Sequence, residues 1–131
     1  MECSVPAERM EEVVREIRAK VAAEKHAVHF PVECRYVKGD DIWLSPAYGR
    51  DSAYIAVHMY KGMAHETYFR DVEDIFRKHG GRPHWGKMHT RTAEELAGLY
   101  PMWDAFRKVR QQVDPAGLFL NDYLRRLFAA E

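Results

Sequence analysis

The sequence predicts an α+β fold: an antiparallel sheet with helices packed on one face, followed by a C-terminal helical tail. Two stretches, 26–39 and 52–62, are rich in Val, Phe, Ile and Tyr and end at a glycine, which is typical of strands. Two others, 10–21 and 65–79, repeat apolar residues at helical spacing. The predicted order of strand, helix, strand, strand, helix favours one antiparallel layer covered by helices.

Local signals define the first half of the chain. Residues 2–5, ECSV, predict a short strand, and Pro6 suits the first turn of a helix because its missing N–H would have no partner there. The helix that follows is amphipathic, with a stripe made of Met10, Val13, Val14, Ile17 and Val21. The stretch 40–51 contains proline and glycine, and it predicts a long loop with a strand fragment at 42–45.

The second half of the chain is predicted to be mostly helical. A helix over His65–His79 should end at Gly80, which can adopt the left-handed backbone of a helix C-terminus. The T-x-x-E pattern at 92–95 predicts a capping box for a short helix. A further helix begins at Pro101, and Asn121 caps the last helical segment.

Length and composition restrict the classes of protein to consider. The 131 residues, 47% of them hydrophobic, predict a single domain over 1–131, with an α+β layer in 1–81 and a loop plus helical tail in 82–131. Twenty basic residues balance twenty acidic ones, which argues against binding nucleic acid or an anionic membrane surface. No apolar run is long enough to span a membrane. Two cysteines outside any CxxC pair predict a reduced, cytoplasmic protein.

The two long predicted strands each have an aliphatic face and a polar face, because side chains alternate across a strand. The aliphatic sets are Val32, Cys34 and Tyr36 on the first strand and Ile55, Val57 and Met59 on the second. If helices cover these sets, the uncovered side carries Glu33, Arg35, His58 and tyrosines including Tyr54. Such a surface, with polar groups between aromatic walls, is typical of small-molecule sites. The alternative is a solvated Glu33–Arg35 ion pair with little energetic value.

The stretch HGGRPHWGKMH, residues 79–89, matches neither a helix nor a strand pattern. Its lysine, Lys87, has three interpretations: an ordinary surface residue, a phosphate contact, or a cation that a tight turn delivers to an electron-rich ligand. No GxxxxGK[ST] pattern surrounds it, which disfavours the phosphate contact.

Histidines in and near this stretch raise the question of a metal. Their spacings match neither HExxH nor zinc-finger patterns, and no cysteine lies near them, so no metal site is predicted. A metal-dependent hydrolase or isomerase stays as a third class that depends only on the abundance of histidine. The residues concerned are His65, His79, His84 and His89.

Three segments together resemble one family. FPVECRYVKGDDIWLSPAYGRDSAYIAVH, RPHWGKMHT and DPAGLFLNDYLRRLF are similar to the C-terminal part of sugar-lactone and alditol oxidases, in the vanillyl-alcohol-oxidase superfamily. These include D-arabinono-1,4-lactone, L-gulonolactone and alditol oxidases. The resemblance covers essentially the whole chain and implies an FAD-dependent oxidase that acts on a CH–OH group of a sugar lactone or polyol.

The resemblance also implies roles for particular residues. Glu33 and Arg35 match the Glu-x-Arg pair that contacts the reacting hydroxyls of the substrate, and Lys87 matches the lysine of the His-Trp-(Gly/Ala)-Lys motif near the flavin and the reacting carbon. These three are therefore the candidate catalytic residues. His58 matches only loosely a strand position that contacts substrate, and Tyr54 is assigned to the same group. The candidate contacts to the cofactor are His84, Trp85, Gly86 and Lys87.

Family members have an N-terminal FAD-binding domain and then a cap domain over the flavin, and the chain resembles the later part of that cap. We expect the 131 residues to contain no FAD-binding domain, FAD to be bound mainly by a domain supplied in cis or in trans, and the chain alone to be inactive. The alternative is an inactive interaction module derived from the cap. We also expect self-association through exposed aromatic side chains, namely Tyr54, Tyr60, Trp85 and Trp103.

Overall fold

A computed structural model describes residues 1–128 and confirms the α+β class. The strands are β1 (Glu2–Pro6), β2 (Glu33–Val37), β3 (Ser52–Ala56) and β4 (Arg82–Pro83). The helices are α1 (Met10–Ala23), α2 (Glu66–Lys78), α3 (Ala93–Leu99), α4 (Trp103–Val113) and α5 (Asp122–Phe128), with a 3-10 turn at Ala7–Arg9 before α1. No helix within the described range is long and apolar enough to cross a membrane.

The four strands form one antiparallel sheet in the order β2-β3-β1-β4. The register places Ala56 of β3 opposite Glu2 of β1 on one side and Glu33 of β2 on the other. Tyr54 is likewise flanked by Ser4 and Arg35. Side chains directly opposite each other share a face, so β1 and β2 direct their polar residues to the same side of the sheet.

Helices α1 and α2 cover the other side of the sheet, as the aliphatic face of the second predicted strand requires. Their amphipathic stripes pack on β1 and β3, and this first core consists of buried apolar residues including Cys3, Val5, Val13, Ile17, Ile55, Val57, Val72 and Phe76. Burial raises the pKa of the Cys3 thiol to about 12, so this cysteine is an apolar core residue rather than a nucleophile.

The first predicted strand is corrected in two respects. Only Glu33–Val37 forms a strand, and it lies at the edge of the sheet. Cys34 and Tyr36, which were expected to lie under a helix, are both exposed, Tyr36 to 70%. The second predicted strand ends at Ala56. The predicted fragment at 42–45 is a turn, because Asp40 accepts hydrogen bonds from the Ile42 N–H and the Ser45 hydroxyl.

The tail forms a second apolar cluster on helices α3, α4 and α5, built on Leu96, Tyr100, Trp103, Leu127 and Phe128. Its first helix begins with the predicted capping box between Thr92 and Glu95. This cluster overturns part of the predicted aromatic surface, because Trp103 is 4% exposed inside it and Tyr54 is 7% exposed on the sheet. Tyr60 remains exposed and Trp85 is half-buried.

Strand β4 was not predicted. Arg82 and Pro83 pair with Ser4 and Cys3, so the start of the glycine-rich stretch joins the sheet. Gly80, with φ of +62°, ends α2 as predicted. Next to it, Gly81 passes so close to α2 that an added Cβ would lie 2.7 Å from the carbonyl oxygen of Phe76. The chain therefore leaves α2 and enters β4 within a few residues.

Candidate active site

Arg35 lies between two carboxylates on the polar face of the sheet. Its Nη2 donates to Glu2 Oε1 in a short contact, and its Nη1 donates to Glu33 Oε1 at 3.4 Å. Both glutamates stand opposite Ala56, whose small side chain leaves the guanidinium room to reach across β3. The Glu2 side chain is only 5% exposed and that of Glu33 is 58% exposed. Glu2 is therefore the buried anchor of Arg35, and Glu33 faces the solvent.

Tyr54 forms the floor under Arg35. The guanidinium carbon lies 5.0 Å from the centre of the Tyr54 ring, which is a cation–π arrangement. Burial, followed by the negative charge of Asp40, raises the pKa of the Tyr54 hydroxyl above its usual value, so the ring stays neutral. The guanidinium is thus held from below by the ring and from two sides by carboxylates, with 45% of its side chain open to solvent.

His58 extends the polar group beyond the end of β3. Its Nε2 lies 3.9 Å from Glu33 Oε2, and 37% of its side chain is exposed. The Phe30 ring lies 6.1 Å from the imidazole and stacks with Tyr60 at 6.4 Å between ring centres. The structure therefore brings the four sequence-predicted residues of the sheet into one cluster, with an aromatic wall beside it.

The motif residues His84 to Lys87 form a tight turn. The Lys87 N–H donates to the His84 carbonyl at 3.0 Å, and the Gly86 N–H donates to His84 Nδ1, also at 3.0 Å. A Cβ on Gly86 would lie 3.3 Å from the His84 ring, so glycine lets the backbone close on the imidazole. The His84 N–H in turn donates to the Glu2 carbonyl at 3.0 Å. The turn is therefore tied to the residue that anchors Arg35.

Trp85 fixes this turn to the tail. Its indole N–H donates to the Leu44 carbonyl at 2.8 Å, and its ring stacks with Trp103 at 6.4 Å between ring centres. The only polar hydrogen of the indole is therefore donated within the chain, and Trp85 holds the turn against the tail. Its assignment to a cofactor contact stays a prediction.

Two surface depressions lie beside the turn. One of about 310 Å³ is lined by Arg35 and Tyr54 together with His84 and Trp85. The other, of about 400 Å³, is lined by residues that include His58, Gly86 and Lys87. Lys87 is exposed, and no carboxylate within residues 1–128 forms an ion pair with it. The turn thus presents an uncompensated positive charge next to the polar cluster of the sheet.

The histidines do not converge on one point. His89 Nε2 lies 2.6 Å from the Tyr123 hydroxyl, and His84 Nδ1 accepts from Gly86 as described above. His79 contacts Glu16 at 3.0 Å, and Glu12 is near enough to complete a set of three potential ligands within 4.8 Å. Lys78 also donates to Glu16 at 2.7 Å, so this carboxylate is already paired with a positively charged side chain.

Glu2 is the member of this polar cluster that the sequence did not predict. The alternation of ECSV places Glu2 and Ser4 on the face opposite to Cys3, which is a usable signal for a polar face. The contact with Arg35 depends on β1 and β2 flanking the same strand. That neighbour order joins residues 33 positions apart, and no local pattern encodes it.

Comparisons with known proteins identify the family of the chain. A family model described as D-arabinono-1,4-lactone oxidase matches residues 1–127. Over 97% of its length the chain is 48% identical to a Mycobacterium tuberculosis protein named L-gulono-1,4-lactone dehydrogenase. It is 39% identical over 95% of its length to the L-gulonolactone oxidase of Mus musculus. It is 37% identical over 72% of its length to a Streptomyces alditol oxidase. The chain spans 30% of the length of the first two relatives and 23% of the third.

Proposed function

Because the chain belongs to the D-arabinono-1,4-lactone oxidase family, we propose that it is the substrate-binding cap part of an FAD-dependent oxidase. The substrate would be a sugar lactone or polyol that is oxidised at a CH–OH group, in keeping with the names of its relatives. The observation that carries the proposal is the cluster of Glu2, Glu33, Arg35 and His58 beside the exposed Lys87. Alone, the 131-residue chain would be inactive.

The described residues fit one edge of FAD rather than the whole dinucleotide. An exposed lysine with no carboxylate partner in residues 1–128, on a turn narrowed by Gly86, suits a ligand that becomes negatively charged. His84 and Gly86 would lie against the same edge of FAD. When bound, FAD supplies the hydride acceptor. The relatives are about three times as long as the chain, and we assign the remaining FAD contacts to that additional length.

The residues of the sheet would prepare the substrate hydroxyl. Arg35 would bind the hydroxyl oxygen and stabilise negative charge on it as the proton leaves. The exposed Glu33 Oε2, beside His58 Nε2, is placed to accept that proton. The carbon then loses a hydride and its C–O bond becomes a carbonyl, so that two electrons and two hydrogens leave the substrate in total. Glu2 and Tyr54 hold the guanidinium in position throughout.

The substitution Lys87→Met tests the proposal in the complete, flavin-loaded protein. Rapid mixing with excess substrate measures the rate of flavin bleaching. We expect a fall of about ten- to a thousandfold with a smaller change in apparent affinity, because the lysine acts on charge that develops during reaction. Lys61→Met is the matched control, since Lys61 lines the same depression. An unchanged rate in Lys87→Met would remove the lysine from the mechanism, whereas a complete wild-type protein whose flavin is not reduced by any lactone or polyol would favour an inactive interaction module.

A further inference from the structure

We propose that Glu73 is a positioning residue for Lys87. Its hydrogen bonds to Thr90, called the latch below, hold the backbone just after the His84–Lys87 turn and so fix the position of the Lys87 ammonium. This inference rests on the proposed function, because it assigns Glu73 a part in placing the same cation. Neither the sequence motifs nor the sheet cluster include this glutamate, which lies on α2.

The contacts of Glu73 converge on one residue of the returning chain. Thr90 N–H donates to Glu73 Oε1 at 2.8 Å, and the Thr90 hydroxyl donates to Oε2 at 2.6 Å. Arg77 reaches the same Oε2 at 3.2 Å and donates to the Thr90 hydroxyl at 3.0 Å. Both carboxylate oxygens of Glu73 therefore accept hydrogen bonds, and they bind the backbone at Thr90, three positions after Lys87.

Apolar packing alone does not explain why Glu73 is buried. It is 1% exposed on a helix whose buried stripe is otherwise apolar and includes Phe69, Val72 and Phe76. Burying a carboxylate carries a large desolvation penalty even when it is paired, and an apolar side chain of similar volume often stabilises such a site equally well. An ionised side chain here serves best to hold a backbone N–H and a hydroxyl in one geometry.

The turn is thus suspended between two anchors. At its start, His84 N–H donates to Glu2 and the Trp85 indole donates to Leu44. At its end stands the Glu73–Thr90 contact. Residues 86–88 between the anchors are exposed. Release of the second anchor would leave the His89–Tyr123 hydrogen bond as the remaining described side-chain contact just after the lysine, so that the ammonium could sample a wider set of positions.

Limited proteolysis tests the latch on the chain itself. Trypsin cleaves after exposed lysines, so the rate of cleavage between Lys87 and Met88 reports local opening of the turn. We expect Glu73→Gln and Thr90→Val to raise this rate at least about tenfold, the effect of losing one charge-assisted hydrogen bond. Cleavage after Lys61 should stay unchanged, and Thr90→Ser, which keeps the hydroxyl, should behave as wild type. Thr90→Val covers the case in which Glu73→Gln fails to fold.

The matched control is Glu16→Gln, which also removes a carboxylate that contacts α2 but lies at Lys78 and His79, away from the turn. Equal acceleration at Lys61 and Lys87, or acceleration in Glu16→Gln, would show a general loss of stability and overturn the latch. An unchanged rate at Lys87 in both Glu73→Gln and Thr90→Val would overturn it as well.

Flavin reduction in the complete protein tests the catalytic consequence separately. Thr90→Val should slow reduction while apparent substrate affinity stays near wild type, and Thr90→Ser should restore the rate. If Lys87→Met slows reduction and Thr90→Val does not, the proposed function stands and the positioning role of Glu73 is wrong. If Lys87→Met has no effect, the proposed catalytic role of the lysine fails, and the proteolysis result alone still decides whether Glu73 fixes the turn.

Discussion

At Arg35, one guanidinium serves two carboxylates with different surroundings. Glu2 is buried and fixes one edge of the fork, while the exposed Glu33 remains available to a ligand. A lysine at this position would carry the same charge, but as a point charge on a flexible stem it could not contact both carboxylates in a fixed plane. The orientation of the fork, rather than its charge, is therefore the property that this site depends on.

We expect Arg35→Lys to lower turnover in the complete, flavin-loaded protein by about thirty- to a thousandfold, the usual cost of one charged hydrogen bond in a closed site. Steady-state kinetics with the best available lactone or polyol measures this. Arg15→Lys, on the exposed surface of α1, should leave turnover unchanged. Wild-type turnover in Arg35→Lys would support the solvated ion pair as the correct interpretation of Glu33 and Arg35.

Gly81 shows why a residue without a side chain is needed after α2. An added Cβ would lie 2.7 Å from the Phe76 carbonyl oxygen and 2.9 Å from the Phe76 Cβ. We expect Gly81→Ala to reduce the free energy of unfolding by about 1–3 kcal/mol, since neither backbone nor core can yield easily. Gly98→Ala, inside α3 and with nothing within 4 Å of the new Cβ, should instead be neutral or stabilising in urea titrations.

Among the elements, the network around Glu95 joins α2, α3 and the segment that leaves the turn. Glu95 accepts from Arg77 at 2.9 Å and from Arg91 at 3.1 Å, and it completes the capping box of α3. The hydrogen bond from Arg77 is the main reason why the pKa of Glu95 falls from 4.5 to about 2. The unfolded chain therefore takes up this proton at a higher pH than the folded protein does.

From this difference in pKa we expect Glu95 to stabilise the fold fully above about pH 4.5 and to lose that contribution as the pH falls toward about 2. Glu95→Gln should remove about 1–2 kcal/mol of stability at neutral pH and flatten this part of the acid dependence. Urea unfolding at several pH values in that range measures it. Glu94→Gln, on the same turn of α3, should keep the wild-type slope. A parallel slope in Glu95→Gln would contradict the assignment.

Helices and caps could be predicted because their signals are local. The apolar spacing of α1 and α2, Gly80 at the end of α2 and the T-x-x-E pattern before α3 all act within one or two turns. The strands were harder to predict, because pairing decides where a strand ends. Strand propensity predicted strands over 26–39 and 52–62, both longer than the observed Glu33–Val37 and Ser52–Ala56. It also missed β4, where two residues pair only because β1 offers a free edge.

The candidate site follows the same division. Alternation along two strands was enough to group Glu33, Arg35, Tyr54 and His58 on one face, and the family motif singled out Lys87. Glu2 and Glu73 could not be found in this way. Each acts across a long separation in sequence, and each is recognised only from the burial of a charged side chain in the folded protein.

For the molecule as a whole, the two apolar clusters explain which aromatic residues are exposed. Trp103 is buried in the tail and Tyr54 is buried on the sheet under Arg35, so neither contributes to an exposed apolar surface through which copies of the chain could associate. Among the described residues, the most exposed large apolar side chains instead lie at the last residue of α4 and in the segment after it. Leu118 and Phe119 are 80% and 83% exposed, and Val113 is 74% exposed.

These side chains are held outward by a defined turn. Asp114 accepts from the N–H groups of Leu118 at 2.8 Å and Phe119 at 3.1 Å, so the backbone is fixed while both side chains point to solvent. Two large apolar groups fixed in water favour association, because burying each gains about 1.5–3 kcal/mol.

We therefore expect the 131-residue chain to self-associate through this segment, with a sedimentation coefficient that rises with concentration. The double variant Leu118→Ser with Phe119→Ser should weaken association at least about tenfold. Ile42→Ser, which removes an apolar side chain 66% exposed on a different loop, should leave the association unchanged. A chain that stays monomeric at all concentrations, or an equal effect of the two changes, would show that this segment is not the contact.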